Sequence, residues 1–170
     1  MRIIKLGIIS FIILAILITG ISLFVPSKVT VSRAVNMAAV PDSVWARVDD
    51  LHRWEEWNPL FENLASKKVE YIDTSNGHWN AVKVATTTVQ WKEKKTDEHI
   101  AEMRNGDRSP VMSGWKCVTY PGRDSITVQW YMVFRLKWYP WEKFGSLMFE
   151  KQYGTQMEKG LSQLKSLLEK

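Results

Sequence analysis

The sequence predicts an α+β fold in which an antiparallel sheet packs against one long C-terminal helix, with a transmembrane helix preceding both. Three observations predict this arrangement. A run without charged residues extends from Leu6 to Val25. Strand-like segments joined by short turns follow it, and an apolar stripe at helical spacing begins at Phe149. We therefore divide the chain into a flank over 1–5, an anchor over 6–25 and one domain over 26–170.

The uncharged run is interpreted as an uncleaved membrane anchor. A helix of about 20 residues spans roughly 30 Å, which is the thickness of the hydrocarbon core of a bilayer. Leu6–Val25 reaches that length. The alternative is a cleaved signal peptide with its cleavage site near Gly20–Ser22, but signal peptides have shorter apolar cores.

Positive charges flank this run and predict its orientation. Arg2, Lys5 and the amino terminus precede the run, and Lys28 and Arg33 follow it. The small excess on the N-terminal side favours a cytoplasmic N-terminus. We therefore expect a single-pass protein of a bacterial inner membrane whose C-terminal domain is periplasmic.

The domain begins with a strand and two short helices. Lys28–Met37 alternates between apolar and polar residues, which is typical of a half-buried strand. Pro41–Ser43 supplies helix-start chemistry, and the apolar residues of Val44–Leu51 recur at helical spacing. A second helical segment covers His52–Trp57, and Asn58–Pro59 ends it.

The middle of the chain predicts an antiparallel sheet, because its strands are joined by turns too short for parallel crossovers. Turn signals occur at Thr74–Gly77, Asn105–Pro110 and Pro121–Asp124. The strand-like segments are 67–73, 78–92, 97–104, 111–120 and 125–138. In the last of these, alternate residues from Ile126 to Leu136 are apolar and share one face.

A long amphipathic helix closes the chain. Its apolar stripe consists of Phe149, Tyr153, Met157, Leu161, Leu164 and Leu168. Gly154 and Gly160 lie within it, although each glycine costs roughly 1 kcal/mol relative to alanine in a helix interior. A glycine removes side-chain volume, so the sequence indicates that another group approaches the helix closely at these positions.

Composition and motif content exclude several kinds of chemistry. Cys117 is the one cysteine, so an intrachain disulfide is impossible, and we expect this residue to be a buried apolar group. His52, His78 and His99 lack metal-ligand spacing and are expected at the surface. The net charge of +5 falls to +3 when Arg2 and Lys5 are counted with the anchor, which is too small for a nucleic-acid footprint. We expect no metal, no cofactor, no catalytic group and no nucleic-acid partner.

The order of these elements is that of the helix-grip fold, in which a curved antiparallel sheet wraps around the C-terminal helix. Residues 31–61, VSRAVNMAAVPDSVWARVDDLHRWEEWNPLF, resemble the opening of the START-like (SRPBCC) superfamily, in its polyketide cyclase/dehydrase and lipid-transport branch. The recurring elements there are a strand, an a-P-x-x-V-W motif and a Trp-x-x-Trp-x-P pair. TVQWYMVFRLKWYPWEKF and MEKGLSQLKSLLEK resemble its last strand and helix, and the resemblance covers about 29–169.

This resemblance implies a deep, mostly apolar cavity between the sheet and the helix, and the candidate ligand-binding residues follow from it. They are Trp91, Trp115, Trp130, Met132, Phe134, Tyr153, Met157 and Arg33. The three sheet tryptophans are interpreted either as core or as cavity lining. Arg33 lies on the apolar face of its strand, where it either binds a ligand carboxylate or phosphate or extends to solvent at the sheet edge.

The remaining tryptophans have other expected positions. Trp45, Trp54 and Trp57 are expected to pack in the core or to cover the cavity. Trp138 and Trp141 flank a proline close to the last helix. They either surround the cavity mouth or, with neighbouring aromatic residues, lie in the membrane interface.

Three functions are consistent with these observations. The first hypothesis is a membrane-anchored protein that binds a lipid or another hydrophobic small molecule, which would need no catalytic residue. The second is a polyketide cyclase or dehydratase, which would require an ionisable group inside the cavity. The third is an accessory subunit of a membrane complex, with other membrane proteins as partners. An exposed aromatic patch would favour the subunit, and a continuous empty cavity would argue against it.

Overall fold

The computed structural model describes residues 2–62, 68–75, 78–122 and 125–169. Its helices are α1 (Arg2–Leu23), α2 (Pro41–Val48), α3 (Pro140–Gly145) and α4 (Phe149–Leu168). Short 3₁₀ segments cover Leu51–Glu56, Pro59–Phe61 and Ser146–Met148. The strands are β1 (Lys28–Met37), β2 (Val69–Ser75), β3 (His78–Val84), β4 (Thr87–Lys94), β5 (Glu98–Asn105), β6 (Val111–Thr119) and β7 (Ile126–Arg135).

The strands form one curved seven-stranded sheet in the order β1-β7-β6-β5-β4-β3-β2, and every neighbouring pair is antiparallel. β1 pairs with β7 along its whole length, from Lys28 opposite Arg135 to Met37 opposite Ile126. The first strand of the domain therefore lies beside the last. This arrangement with α4 confirms the predicted helix-grip fold.

One predicted strand is two strands in the structure. The segment 78–92 divides into β3 and β4, which are joined by a tight turn at Ala85 and Thr86. Ala85 has a φ of 55°, in the left-handed region that a residue with a Cβ seldom adopts. No glycine or asparagine marks this turn in the sequence. Residues 76–77 and 123–124 of two other predicted turns lie outside the described residues.

The strand register places several chain segments at the same end of the sheet. Lys28 begins β1 opposite Arg135 at the end of β7, and Met112 at the start of β6 lies opposite Val133. Met103 near the end of β5 lies opposite Val111. Because α1 ends just before β1, we call this end of the sheet the entry end.

α4 runs from the entry end to the opposite end across the inner face of the sheet. At its start the Phe149 ring packs against Phe134, with ring centroids 4.5 Å apart. At its end the Lys165 Nζ donates to the Asn36 carbonyl at 2.8 Å. Gly160 allows a close approach, since a Cβ there would lie 2.9 Å from both the Pro59 ring and the Trp130 indole. This contact agrees with the close approach expected at that glycine.

α1 is the one helix among the described residues that is long and apolar enough to cross a membrane, over Ile3–Leu23. Its apolar side chains are almost all exposed in the isolated chain. α1 contacts α3 at the entry end of the domain.

Candidate functional site: an apolar cavity at the entry end

A cavity of about 770 Å³ lies between α4 and the inner face of the sheet. Its volume falls in the range of roughly 300–1,000 Å³ that is usual for small-molecule sites. The deep wall is apolar and comes from β5, β6, β7 and α4: Met103, Val111, Trp130, Met132, Phe134, Phe149, Tyr153 and Met157. Such a wall is suited to an apolar ligand.

The periodicity of two elements places these side chains. Alternate residues of β7 from Ile126 to Phe134 are buried, so Trp130, Met132 and Phe134 all point to the inner face. On α4, Phe149, Tyr153 and Met157 follow one another at intervals of four and lie on one side of the helix. The cavity therefore lies between a strand face and a helix stripe that were both visible in the sequence.

The mouth of the cavity is polar and lies at the entry end. It includes the β5–β6 loop from Asn105 to Pro110, the end of β7 at Arg135 and the segment that leads into α3. The Lys137 backbone N–H donates to the Glu142 carboxylate at 2.7 Å, which fixes the start of α3 beside the opening. A ligand with an apolar body and a polar end would match this division between wall and mouth.

The structure places five of the eight candidate residues around the cavity and three elsewhere. Trp130, Met132, Phe134, Tyr153 and Met157 line the cavity. Trp91, Trp115 and Arg33 are absent from its lining. Ligand binding by any of these residues remains a prediction.

Trp91 and Trp115 lie in an aromatic core beside the cavity, together with Trp54. The ring centroids of Trp54 lie 5.0 Å from Trp115 and 5.8 Å from Trp91. Trp115 also stacks on Trp130, with centroids 5.4 Å apart and planes inclined at 25°. Trp130 therefore separates the packed core from the open cavity. This core position is one of the two interpretations that the sequence left open.

Two of these indoles are buried without a hydrogen-bond acceptor among the described residues. They are Trp91 and Trp115. An unpartnered buried donor costs about 1–3 kcal/mol. Burying about 150–250 Å² of aromatic surface contributes roughly 4–6 kcal/mol at 25 cal/mol per Å². The free energy gained by burying each ring therefore exceeds the cost of its unpaired indole N–H.

Arg33 joins β1 to α4 outside the cavity. Its guanidinium contacts the Glu150 carboxylate at 2.6 Å and the Glu158 carboxylate at 2.5 Å, and it lies against Gly154. Hydrogen bonds to Glu150 and then Glu158 raise the pKa of Arg33 above its ordinary value. The guanidinium thus pairs with two carboxylates of α4, whereas the sequence left open either a ligand carboxylate or phosphate or an extension to solvent at the sheet edge.

His99 is buried, which makes the expected surface position wrong for this histidine. Its Nδ1 lies 2.5 Å from the Asp49 Oδ1, and its ring stacks on Trp45 at 3.9 Å. The Lys94 ammonium lies 3.5 Å from the same carboxylate. The cluster connects β4 and β5 to the end of α2, on the side of the domain away from the cavity mouth. Side chains alternate between the two faces of β5, and His99 shares a face with the buried Ala101. This alternation could have indicated from the sequence that His99 is buried.

Residues outside the predicted strand faces and the apolar helix stripe also line the cavity. Asn58, Pro59 and Leu60 line the cavity, as do Gln152 and Gln156 on α4. The glutamines do not belong to the apolar stripe, so helical periodicity gave no signal that they line a cavity. Their proximity to the cavity depends on how α4 crosses the sheet.

Apolar side chains cluster at the surface around α3. Trp138 and Trp141 are 64% and 69% exposed, and Leu147 is 70% exposed. Lys143 in the same segment is buried, and its ammonium donates to the Val25 carbonyl at 2.7 Å and to the Ser27 hydroxyl at 2.8 Å. This lysine attaches α3 to the residues that follow α1.

A family model described as polyketide cyclase / dehydrase and lipid transport matches residues 27–169. The chain belongs to this family. No curated protein matches the chain. The match covers the whole sheet and α4 and excludes α1, so the apolar helix is an addition to the family domain.

Solved structures support this family assignment at the level of the fold. A START superfamily protein from Mycobacterium smegmatis has a TM-score of 0.60 and 18% identity, and the match covers 82% of this chain and 97% of that one. A protein from Thermobifida fusca has a TM-score of 0.57 and 17% identity over 80% and 90% of the two chains. The di-domain ARO/CYC StfQ of the steffimycin biosynthetic pathway has a TM-score of 0.62 and 11% identity, covering 84% and 51%.

Proposed function

We propose that the protein is a membrane-anchored binding protein that holds a lipid or another amphiphilic hydrophobic molecule in the cavity at the entry end. The observation that carries the proposal is the cavity itself, with an apolar wall, a polar mouth and a volume of about 770 Å³. The family's START-like fold suggests hydrophobic ligand binding. α1, which is long and apolar enough to cross a membrane, would serve as the anchor.

The apolar wall would supply most of the affinity. Each 100 Å² of apolar ligand surface removed from water contributes roughly 2.5 kcal/mol before the cost of association. The polar end of the ligand would stay at the mouth near Arg135 and Lys137, where it keeps contact with water and with charged side chains. Such binding needs no acid, base or nucleophile.

The test uses the piece from Pro26 to Lys170, purified without detergent and checked for native tryptophan packing by near-UV circular dichroism. Native mass spectrometry and organic extraction then determine whether a hydrophobic molecule accompanies the protein in stoichiometric amount. We expect a defined lipid-like molecule. A folded protein that carries nothing and fails to take up a fluorescent fatty acid or phospholipid would refute the proposal.

A matched pair of variants locates the binding site. Gln156→Trp puts a large ring at a position that lines the cavity. Ser162→Trp puts the same ring at an exposed position of the same helix that does not line it. Gln156→Trp is expected to reduce the bound fraction strongly, whereas Ser162→Trp leaves it unchanged. Equal effects would place the ligand elsewhere.

A second candidate function, an accessory subunit of a membrane complex, is favoured by the exposed aromatic side chains around α3. The open cavity argues against a domain whose interior is filled by its own side chains. Co-purification of the full-length chain with a stoichiometric membrane protein, without a bound small molecule, would favour the subunit.

A further inference from the structure

An apolar surface that the cavity does not use lies on the segment around α3. We call it the α3 patch, and it consists of Trp138, Trp141, Phe144, Leu147 and Met148. All five side chains are exposed, and they belong to one short stretch of chain. Scattered exposed apolar residues are normal, but a contiguous group marks a surface that contacts something else.

The α3 patch has a fixed position relative to the end of α1. The buried Lys143 donates to the Val25 carbonyl and to the Ser27 hydroxyl, both in the residues that follow α1. The Leu136 backbone N–H also donates to the Ser27 carbonyl at 2.8 Å. The patch therefore lies at the level where α1 ends, with the exposed Phe24 in the linking residues.

We propose that the α3 patch lies in the interface of the bilayer that α1 crosses. This contact holds the cavity mouth directly against the lipid surface. This inference rests on the proposed function, because it takes α1 as a membrane anchor. A bilayer is the occupant that fits, since the patch continues the apolar surface of α1. Tryptophan is also favoured where apolar chains meet headgroups.

The same contact would set the route of the ligand. Trp141 belongs both to the patch and to the cavity rim, and the other rim residues lie at the same end of the sheet. A lipid would therefore leave the bilayer and enter the cavity without crossing bulk water. Arg135 and Lys137, which make no ion pair among the described residues, would lie at headgroup depth beside the mouth.

The first experiment measures depth in the full-length chain. The chain is reconstituted in vesicles of phosphatidylcholine and phosphatidylglycerol, in a Cys117→Ala background, with a spin label attached at Leu147→Cys. Ser162→Cys, an exposed position on α4 away from the entry end, is the matched control. We expect the label at position 147 to be accessible to oxygen dissolved in lipid and protected from a water-soluble relaxation agent. The label at position 162 should show the opposite behaviour.

The second experiment measures transfer. Leu147→Glu places a charge in the patch without touching the cavity lining, and Ser162→Glu is its control. α1 keeps both variants on the vesicle, so a change in the uptake rate reports on the contact between the α3 patch and the bilayer. The rate of uptake of a fluorescent phospholipid from the vesicles should fall roughly tenfold for Leu147→Glu, the factor expected when a leucine side chain no longer lies in the bilayer. Ser162→Glu should match the parent chain.

The outcomes separate this inference from the proposed function. A water-accessible label at position 147 in a chain that still holds lipid would overturn the seating and leave the binding function standing. A lipid-embedded label in a chain that never acquires lipid would support the seating and refute the binding function. A label shielded from both reagents would overturn the contact with the bilayer in favour of a contact between two copies of the chain.

Discussion

Alanine in place of Gly160 provides the most direct test of how α4 packs against the cavity wall. The added Cβ would lie 2.9 Å from the Pro59 ring and 2.9 Å from the Trp130 indole, with the Trp57 carbonyl oxygen at 3.4 Å. Neither close neighbour can move freely. Pro59 is a rigid ring, and Trp130 is buried with its indole N–H bonded to the Ser113 hydroxyl at 2.8 Å.

Two opposing free energies decide the result. Replacing glycine by alanine in a helix interior stabilises the helix by about 1 kcal/mol. Forcing a methyl group into a packed interface costs about 1–3 kcal/mol. We therefore expect Gly160→Ala to lower the free energy of unfolding by about 1 kcal/mol, and to lower Tm by roughly 3 °C for a domain of this size.

Gly154→Ala is the matched control in the same helix. The atoms that its Cβ would meet all belong to the end of the Arg33 side chain, which can rotate away. The cost is a weakening of partly exposed ion pairs to Glu150 and Glu158, each contributing about 0–1 kcal/mol. The stabilisation of the helix by alanine offsets this cost, so the Tm of Gly154→Ala should remain close to that of the parent chain.

The assay is thermal unfolding of the full-length chain in mild detergent, followed by tryptophan fluorescence, because the aromatic core reports directly on the packing. A Tm for Gly160→Ala that equals or exceeds that of Gly154→Ala would show that the close contact of α4 with Trp130 is wrong. The position of the helix over the cavity would then need revision.

Three further predictions concern the core and the sheet. Trp130→Phe removes the bond to the buried Ser113 hydroxyl and should lower the free energy of unfolding by about 1–3 kcal/mol in the same assay, and an unchanged Tm would contradict that bond. Burial raises the pKa of the Cys117 thiol to about 12, so a thiol reagent at pH 8 should label the folded chain far more slowly than the unfolded one; equal labelling rates would contradict its burial. Burial and then the hydrogen bond to Glu98 raise the pKa of Tyr131 to about 12. The neutral phenol therefore contributes stability below about pH 10 that is lost as the pH rises through about 12. Tyr131→Phe should flatten this alkaline decline of Tm, whereas a profile identical to the parent chain would exclude the tyrosine as its source.

Local sequence patterns were sufficient for the elements that build the cavity. β1 begins and ends at the predicted residues, and the buried face of β7 is the predicted one. α4 begins at Phe149 as expected. Periodicity is a property of neighbours in the chain, so a strand face or a helix stripe can be read without knowing what it packs against.

The turn between β3 and β4 shows where local patterns fail. Ala85 adopts a left-handed φ without any residue type that favours it, so the sequence carried no signal for a chain reversal. Cross-strand pairing on both sides, with Val84 opposite Thr87, holds the turn in place. The sheet imposes this conformation on the chain.

Periodicity and short motifs were enough to predict the fold class, the family and the inner faces of β7 and α4. Which inner-face residues border open space depends instead on how distant elements pack together. Trp115 and Trp130 lie on paired strands directly opposite each other, yet Trp54 packs against Trp115 while Trp130 borders the cavity. His99 likewise contacts Asp49, which lies 50 positions earlier in the chain, only because the end of α2 packs against β5. Burial and partners depend on contacts between distant segments, and such contacts are absent from any local pattern.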